Sequence, residues 1–320
     1  MTKVLVTGGA GFIGSHVADL FLEKGFDVTV VDDLSSGKRE HLPEKAGFHE
    51  IGVNSSEFAK LVRDGMFDVI AHLAGQIDVR KSVADPIVDA TTNILGTLNL
   101  MEALRQSDVK TRVVFTSTGG ALYGDLNAAP HAEASRKDPE SPYGVAKLSI
   151  EHYLWYYGRV HDVDAISLRF GNAYGPRQDV HGPSGVVAIF CGRILNNNPL
   201  TVFGDGHQTR DYIFVEDVAR AVLLAATKPL PAKGRLDARA FNIGSGTGTS
   251  MLEIARILQQ LARSSVPIEF APHRAGEQQE SFVDVSKVRK VLGWVPEVSL
   301  NEGLARTYAW YAASMSGFVN

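Results

Sequence analysis

Tyr143 and Lys147, in Ser141-Pro-Tyr-Gly-Val-Ala-Lys147, are the first candidates for chemistry. Pro142 suits the first turn of a helix, and that helix carries Tyr143 and Lys147 on one face. A phenol is a base near neutral pH only if its pKa falls from about 10 by roughly 3 units, which is about 4 kcal/mol. A cation about 4 Å away, at an effective dielectric near 20, is worth about 4 kcal/mol. Lys147 and a positively charged cofactor ring together match that need. Hydroxyls stand upstream in Val113-Val-Phe-Thr-Ser-Thr-Gly-Gly-Ala-Leu-Tyr-Gly124. They end a strand, at the carboxyl edge where open α/β sheets place ligands. Thr118 is the expected hydrogen-bond partner of a substrate hydroxyl. Tyr143 is the expected proton acceptor, and Lys147 also reaches a cofactor ribose. The pair is a common surface pattern by itself, and its weight comes from the glycine turn that precedes it.

That turn lies in Lys3-Val-Leu-Val-Thr-Gly-Gly-Ala-Gly-Phe-Ile-Gly14. Lys3 to Val6 reads as a buried strand, and His16 to Lys24 carries apolar residues at helical spacing. Between them, Gly8 allows the tight turn, Gly11 lets a pyrophosphate approach and Gly14 seats the helix on the strand. A second strand, Asp27 to Val31, ends at Asp32, about 20 residues on, where a carboxylate binds adenosine ribose hydroxyls. That carboxylate favours NAD over NADP, because it repels a 2′-phosphate. Lys38 and Arg39, slightly downstream, argue the other way.

These pieces need a sheet to hold them. Phe67 to Leu73, Arg112 to Thr116 and Asp164 to Phe170 read as further strands, alternating with helices Pro86 to Gln106 and Pro142 to Tyr157. The alternation predicts an α/β fold with a doubly wound parallel sheet and helices on both faces. From Gly171 the texture changes. Asn172 to Gly185 reads as loop, Val186 to Leu195 as helix and Leu200 to Phe203 as a short strand. Val215 to Thr227 reads as helix, Lys228 to Ala238 as a solvated loop and Phe241 to Ile243 as a strand. Ser250 to Arg263 and Asp284 to Leu292 read as helices. A dinucleotide-binding Rossmann domain over 1–171, with 212–243 returning to it, is expected. Residues 172–211 and 244–320 are expected to form a smaller C-terminal α/β lobe that binds substrate.

The composition admits this. The chain has 320 residues, 44% hydrophobic and 21% charged, with a net charge of −4. That length leaves room for a second lobe, and the charge gives no basic footprint for nucleic acid. The single cysteine, Cys191, forms no internal disulfide and reads as a buried, inert thiol. No apolar run is long enough to span a bilayer, and the chain enters its first strand at once. A cytoplasmic protein with no metal and no membrane or nucleic-acid partner is expected.

The motifs TGGAGFIG, HLAG, STGGALYG and SPYGVAK resemble the extended short-chain dehydrogenase/reductase family. RFGNAYGPRQ, FGDGHQTRDYIFVEDVA and the late HRAGE resemble its nucleotide-sugar enzymes, and the UDP-glucose 4-epimerases among them. The resemblance spans essentially the whole chain. It implies NAD as cofactor, lined by Phe12, Ile13, Asp32, Asp33, Leu34, Ser35, Ser36, Gly37, Gly52, Val53, Leu73, Ala74, Gly75, Gln76, Thr92, Asn93 and Phe170. It implies a UDP-sugar held by Asn172, Val187, Thr201, Val202, Phe203, Arg210, Arg274 and Glu277. Arginines suit a diphosphate, and a glutamate suits ribose hydroxyls. The sequence departs from the family at Gly52, where an acidic residue usually meets adenine. It also departs at Ile77, where a lysine is often found, and at Thr118, where many members carry serine.

Relatives begin alike, by oxidising C4 of the hexose, and diverge afterwards. Dehydratases place an Asp-Glu pair after the hydroxyl residue, whereas Gly119 and Gly120 follow Thr118 here. With no acid or base to divert the ketone, hydride returns, and a turned keto sugar receives it on the opposite face. The expected reaction is C4 epimerisation of a UDP-hexose, with UDP-glucose and UDP-galactose as the leading pair. The small Ser281 leaves UDP-GlcNAc open, and UDP-glucuronate is a further alternative. A non-catalytic dinucleotide sensor is the alternative from another class; it has no need of Thr118, Tyr143 and Lys147 together. The resemblance also implies a homodimer, paired through the helices over 86–106 and 142–157.

Overall fold

The computed structural model describes residues 1–125, 128–180, 185–273 and 278–315. Its strands are β1 (Lys3–Thr7), β2 (Asp27–Asp32), β3 (Gly47–Glu50), β4 (Val69–His72), β5 (Arg112–Thr118), β6 (Asp164–Phe170), β7 (Asn172–Tyr174), β8 (Leu200–Phe203), β9 (Thr209–Phe214), β10 (Ala240–Ile243), β11 (Gly248–Ser250), β12 (Ile268–Ala271) and β13 (Glu280–Ser281). Its α-helices are α1 (Phe12–Glu23), α2 (Ser56–Asp64), α3 (Val79–Ala84), α4 (Pro86–Ala90), α5 (Gly96–Arg105), α6 (Pro142–Val160), α7 (Val186–Leu195), α8 (Val215–Thr227), α9 (Met251–Ala262), α10 (Ser286–Leu292) and α11 (Leu300–Met315).

Seven strands form one parallel sheet in the order β10-β6-β5-β4-β1-β2-β3. The pleat sorts its side chains to two faces. Val4 and Val6 of β1 pack with Val17 and Phe21 of α1 and Val218 and Val222 of α8. Leu5, between them, packs on the other face with Phe58 of α2, Leu100 of α5 and Leu154 of α6. This is the doubly wound sheet. The strand order reverses between β1 and β4, where Thr7 stands opposite His72. A crevice therefore opens beyond their carboxyl ends.

The second lobe has its own core, with Phe190, Cys191, Val202, Phe214, Ile254 and Leu304 among its buried side chains. Burial pushes the Cys191 thiol up to about 12, so it stays protonated and inert. In this lobe β9 pairs with β7, β11 and β13, while β12 pairs with β8. The chain recrosses more often than the boundaries drawn from sequence. Val288, Leu292 and Trp294, inside the segment assigned to the lobe, join the core of the seven-stranded sheet.

Several elements differ from the sequence reading. The first helix starts at Phe12, four residues before His16, which brings its N-terminus onto the glycine turn. The helix expected over 86–106 runs unbroken over 86–105, with a π-helical turn at Thr91–Leu95 between α4 and α5. The stretch after Gly171 holds a short strand, β7, because Asn172–Tyr174 pair with Tyr212–Phe214. Strand β9 went unread because charged Arg210 and Asp211 interrupt its apolar run. Asp211 is buried there, accepting hydrogen bonds from the backbone N–H groups of Ser245, Gly246 and Val283.

Candidate active site

A cavity of about 810 Å³ occupies the crevice. Its floor is the glycine turn. Gly8 is left-handed, with φ of 70°, and a Cβ there would come within 2.8 Å of the Ala74 nitrogen. A Cβ on Gly14 would stand 2.0 Å from the Gly8 carbonyl oxygen. Gly11 precedes α1 without any side-chain cap, so the first N–H groups of that helix remain available to an anion. Asp32 ends β2, with Oδ2 accepting from Ala10 N and Oδ1 from Leu34 N, both at 2.9 Å. Burial raises its pKa, and those two hydrogen bonds oppose the rise. A glycine cradle too tight for side chains, an uncapped helix start and a fixed carboxylate fit a dinucleotide.

The expected cofactor residues gather around this floor. Gly8, Gly11, Phe12, Ile13, Gly14, Asp32, Asp33, Ser35, Ser36, Gly52, Val53, Leu73, Ala74, Gly75, Gln76, Thr92 and Phe170 all line the cavity. Leu34, Gly37 and Asn93 stand one layer behind it. Leu34 contributes the N–H that fixes Asp32, and its left-handed φ of 56° is strained for a leucine. Asn93 lies in the π turn, donating to the Gln76 carbonyl at 3.0 Å. Of the two cations that argued for NADP, Arg39 pairs with Glu50, whereas Lys38 lines the cavity and lies 3.8 Å from Glu40.

Thr118, Tyr143 and Lys147 meet at the far wall. Ser141 caps α6 by accepting from Gly144 N at 3.2 Å, with Pro142 in the first turn. The Tyr143 N–H donates to Ser82 Oγ, which ties α6 to α3. Lys147 is buried. Its ammonium donates to the Thr116 carbonyl at 3.0 Å and lies 5.8 Å from the centre of the Tyr143 ring. Thr118 is also buried, its hydroxyl accepting from Ala121 N at 3.2 Å.

The electrostatics of the pair are set first by burial. Burial, then the charge of Asp89, raises Tyr143 to about 12, and the Thr118 side chain only partly opposes this. Lys147 does not by itself turn the phenol into a base. The same burial lowers Lys147 to about 8, with Asp89 and Glu151 holding it up. A further positive charge is needed to free the Tyr143 proton near neutral pH.

The expected nucleotide residues divide. Asn172 and Arg210 line the cavity. Val187 is buried in the core of the second lobe, and so is Val202. Thr201 accepts from Arg193 at 3.1 Å, and Phe203 stands opposite Ala271 across the β8–β12 pair. None of these four lines the described cavity: Val187 lies on α7 and the other three on β8, where Val202 faces the lobe core and the strand pairs with β12. Arg274 and Glu277 lie outside the described residues. Of the two glycines after Thr118, Gly120 lines the cavity, whereas a Cβ on Gly119 would meet Val283.

Sequence reasoning missed Arg177, Gln178 and Asp89. Arg177 lines the cavity and ties the loop after β7 to α1 through Asp19 at 2.7 Å. Its motif, GPRQ, was visible, but nothing local gave it a partner. Among the described residues there is no group of three metal-ligating side chains, and no helix is long and apolar enough to cross a membrane.

The comparisons agree with the geometry. A UDP-glucose 4-epimerase from Mycolicibacterium smegmatis is 41% identical over 314 residues, covering 97% of this chain and 98% of that protein. The crystal structure of a UDP-glucose 4-epimerase with UDP-glucose, from Thermotoga maritima, is 41% identical with a TM-score of 0.93. It covers 98% of this chain and 100% of the other. A Thermus thermophilus UDP-glucose 4-epimerase in complex with NAD is 39% identical with a TM-score of 0.89, covering 97% and 99%. Residues 4–244 match the NAD dependent epimerase/dehydratase family, and the chain belongs to it, with NAD as its cofactor.

Proposed function

We propose that this chain inverts C4 of a UDP-hexose through a transient 4-keto sugar, with UDP-glucose and UDP-galactose as the favoured pair. The observation that carries the reading is the meeting of Thr118, Tyr143 and Lys147 at one wall of the NAD cavity, with Gly120 beside them. NAD, when bound, supplies the hydride acceptor, then the hydride donor, and a positive ring charge. Thr118 Oγ orients the C4 hydroxyl. Tyr143 takes the hydroxyl proton as the C4–H bond breaks, and returns it to the alkoxide oxygen once C4 is reduced. Lys147 holds its ammonium near the phenol, 5.8 Å from the ring centre. Gly120 presents no acid or base to the ketone, and a Cβ there would meet only Asn172 at 3.5 Å and Thr118 at 4.0 Å. This supports a keto sugar that turns rather than one that eliminates water. Asn172 and Arg210 are proposed on the nucleotide side, together with Arg274 and Glu277.

The test is a product assay. The enzyme is incubated separately with UDP-galactose, UDP-GlcNAc and UDP-glucuronate, and the anomeric protons are read by NMR. The expected result is UDP-glucose in the first tube. Turnover of only an N-acetylated or acidic sugar would move the substrate, and no epimer in any tube would overturn the reading.

A homodimer is part of the proposal. Val83, Ile87, Leu95, Val145, Tyr156 and Val160 are exposed on α3, α4, the π turn and α6. Such an apolar face is unusual on a monomer. Sedimentation at micromolar concentration should give twice the chain mass of 34.6 kDa, and a single-chain mass would contradict it.

A further inference from the structure

Asp89 lies behind the cofactor side of the cavity, and none of the roles above uses it. It sits in α4 and is 1% exposed. Its Oδ1 accepts from Gln76 Nε2 at 2.8 Å and from Asn93 Nδ2 at 3.1 Å. Its Oδ2 is buried without a hydrogen-bond partner in the protein. Leaving a buried carboxylate half-paired is costly unless an opposite charge compensates. Of the two residues it holds, one lines the cavity and the other stands one layer behind. Gln76 lines it, and the π turn aims Asn93 inward, so that the Asn93 amide also reaches the Gln76 carbonyl. Asn93 and Lys147 meet over one glycine: a Cβ on Gly75 would lie 2.5 Å from Asn93 Oδ1 and 3.8 Å from Lys147 Nζ.

We propose that Asp89 is a positioning residue of this site, its buried negative charge serving as counter-charge to the Lys147 ammonium while its hydrogen bonds hold Gln76 at the cavity wall and Asn93 directly behind it. The proposal rests on the reading of Tyr143 and Lys147 as the proton-transfer pair. Its direction follows from charge. Asp89 raises the pKa of Lys147 against the pull of burial, and adds to burial in raising Tyr143. The other groups around the pair are Glu151, one turn further along α6, and His72 of β4, which burial lowers to about 3 and keeps neutral. On neighbouring α3, Arg80 faces Asp78 at 3.6 Å, and Lys81 is exposed at the cavity wall.

Asp89→Asn removes the charge and keeps an acceptor for Gln76 and Asn93, while Asp89→Glu keeps the charge. Both variants are studied as the NAD-loaded enzyme. The first readout is the Lys147 titration by carbon-13 NMR of protein labelled at lysine Cε, with Lys147→Arg for assignment. The midpoint should fall by about one pH unit in Asp89→Asn and move back toward the wild-type value in Asp89→Glu. The second readout is the pH profile of kcat, whose limbs should move the same way. Loss of rate or thermal stability with an unmoved Lys147 midpoint would overturn the proposal. Should Asp89→Asn not fold, Asp89→Ser, which also lacks the charge, gives the same reading. The Lys147 titration is independent of which sugar is turned over, so failure of the substrate assignment and failure of this proposal are separable.

Discussion

Tyr143→Phe should lower kcat by about a thousandfold and leave NAD retention intact. The phenol ring lies in the cavity wall at the start of α6, and the ring of phenylalanine fills the same space. The backbone bond to Ser82 does not depend on the hydroxyl. Only the proton acceptor is lost. The wild-type rate should rise with pH as Tyr143 loses its proton, because the phenolate is the working form. In the variant this limb should vanish along with the rate. The check is a pair of pH profiles, with bound NAD measured in the same preparations. Unchanged turnover would remove Tyr143 from the mechanism. Loss of both turnover and NAD would mean that the substitution had damaged the site.

The second large effect is expected at Gly14. A Cβ there would stand 2.0 Å from the Gly8 carbonyl oxygen and 2.7 Å from its carbon. Both are backbone atoms of the turn, so no flexible side chain can move aside. Gly14→Ala must push α1 away from β1 or open the turn, and either movement disperses the N–H groups meant for a pyrophosphate. Overpacking of this kind costs about 1–3 kcal/mol, and more where backbone must shift. Gly14→Ala should therefore emerge from purification without NAD and melt at a lower temperature. Equilibrium dialysis with added NAD and a melting curve give the two readings. Full NAD retention would show that the turn is not the cradle described here.

Much of this site was legible because its signals are local. A glycine turn between strand and helix is a short-range pattern, and so is Pro142 ahead of Tyr143 and Lys147. The carboxyl edge of a parallel sheet then brings Thr118 to them. What sequence did not show depends on contacts between distant segments. Strand β9 hides behind Arg210 and Asp211 because the partners of Asp211 come from 245–246 and 283. The π turn at Thr91–Leu95 has no periodic signature, and it carries Asn93, which donates to Gln76 and Asp89. The family resemblance puts Val187 and Val202 with the nucleotide, and their apolar side chains lie in the core of the second lobe. Tyr143 shows the same limit in its electrostatics. Its spacing from Lys147 is visible in the sequence, but the burial and the Asp89 charge that raise its pKa are not.

The central claim is that the hydrogen at C4 leaves and returns as hydride within one closed site. UDP-galactose carrying deuterium at C4 tests it most directly. After conversion in ordinary water, the UDP-glucose formed should keep its deuterium at C4, as read by proton NMR and mass. Replacement of that deuterium by solvent hydrogen would contradict the account, because it would show the hydrogen leaving as a proton.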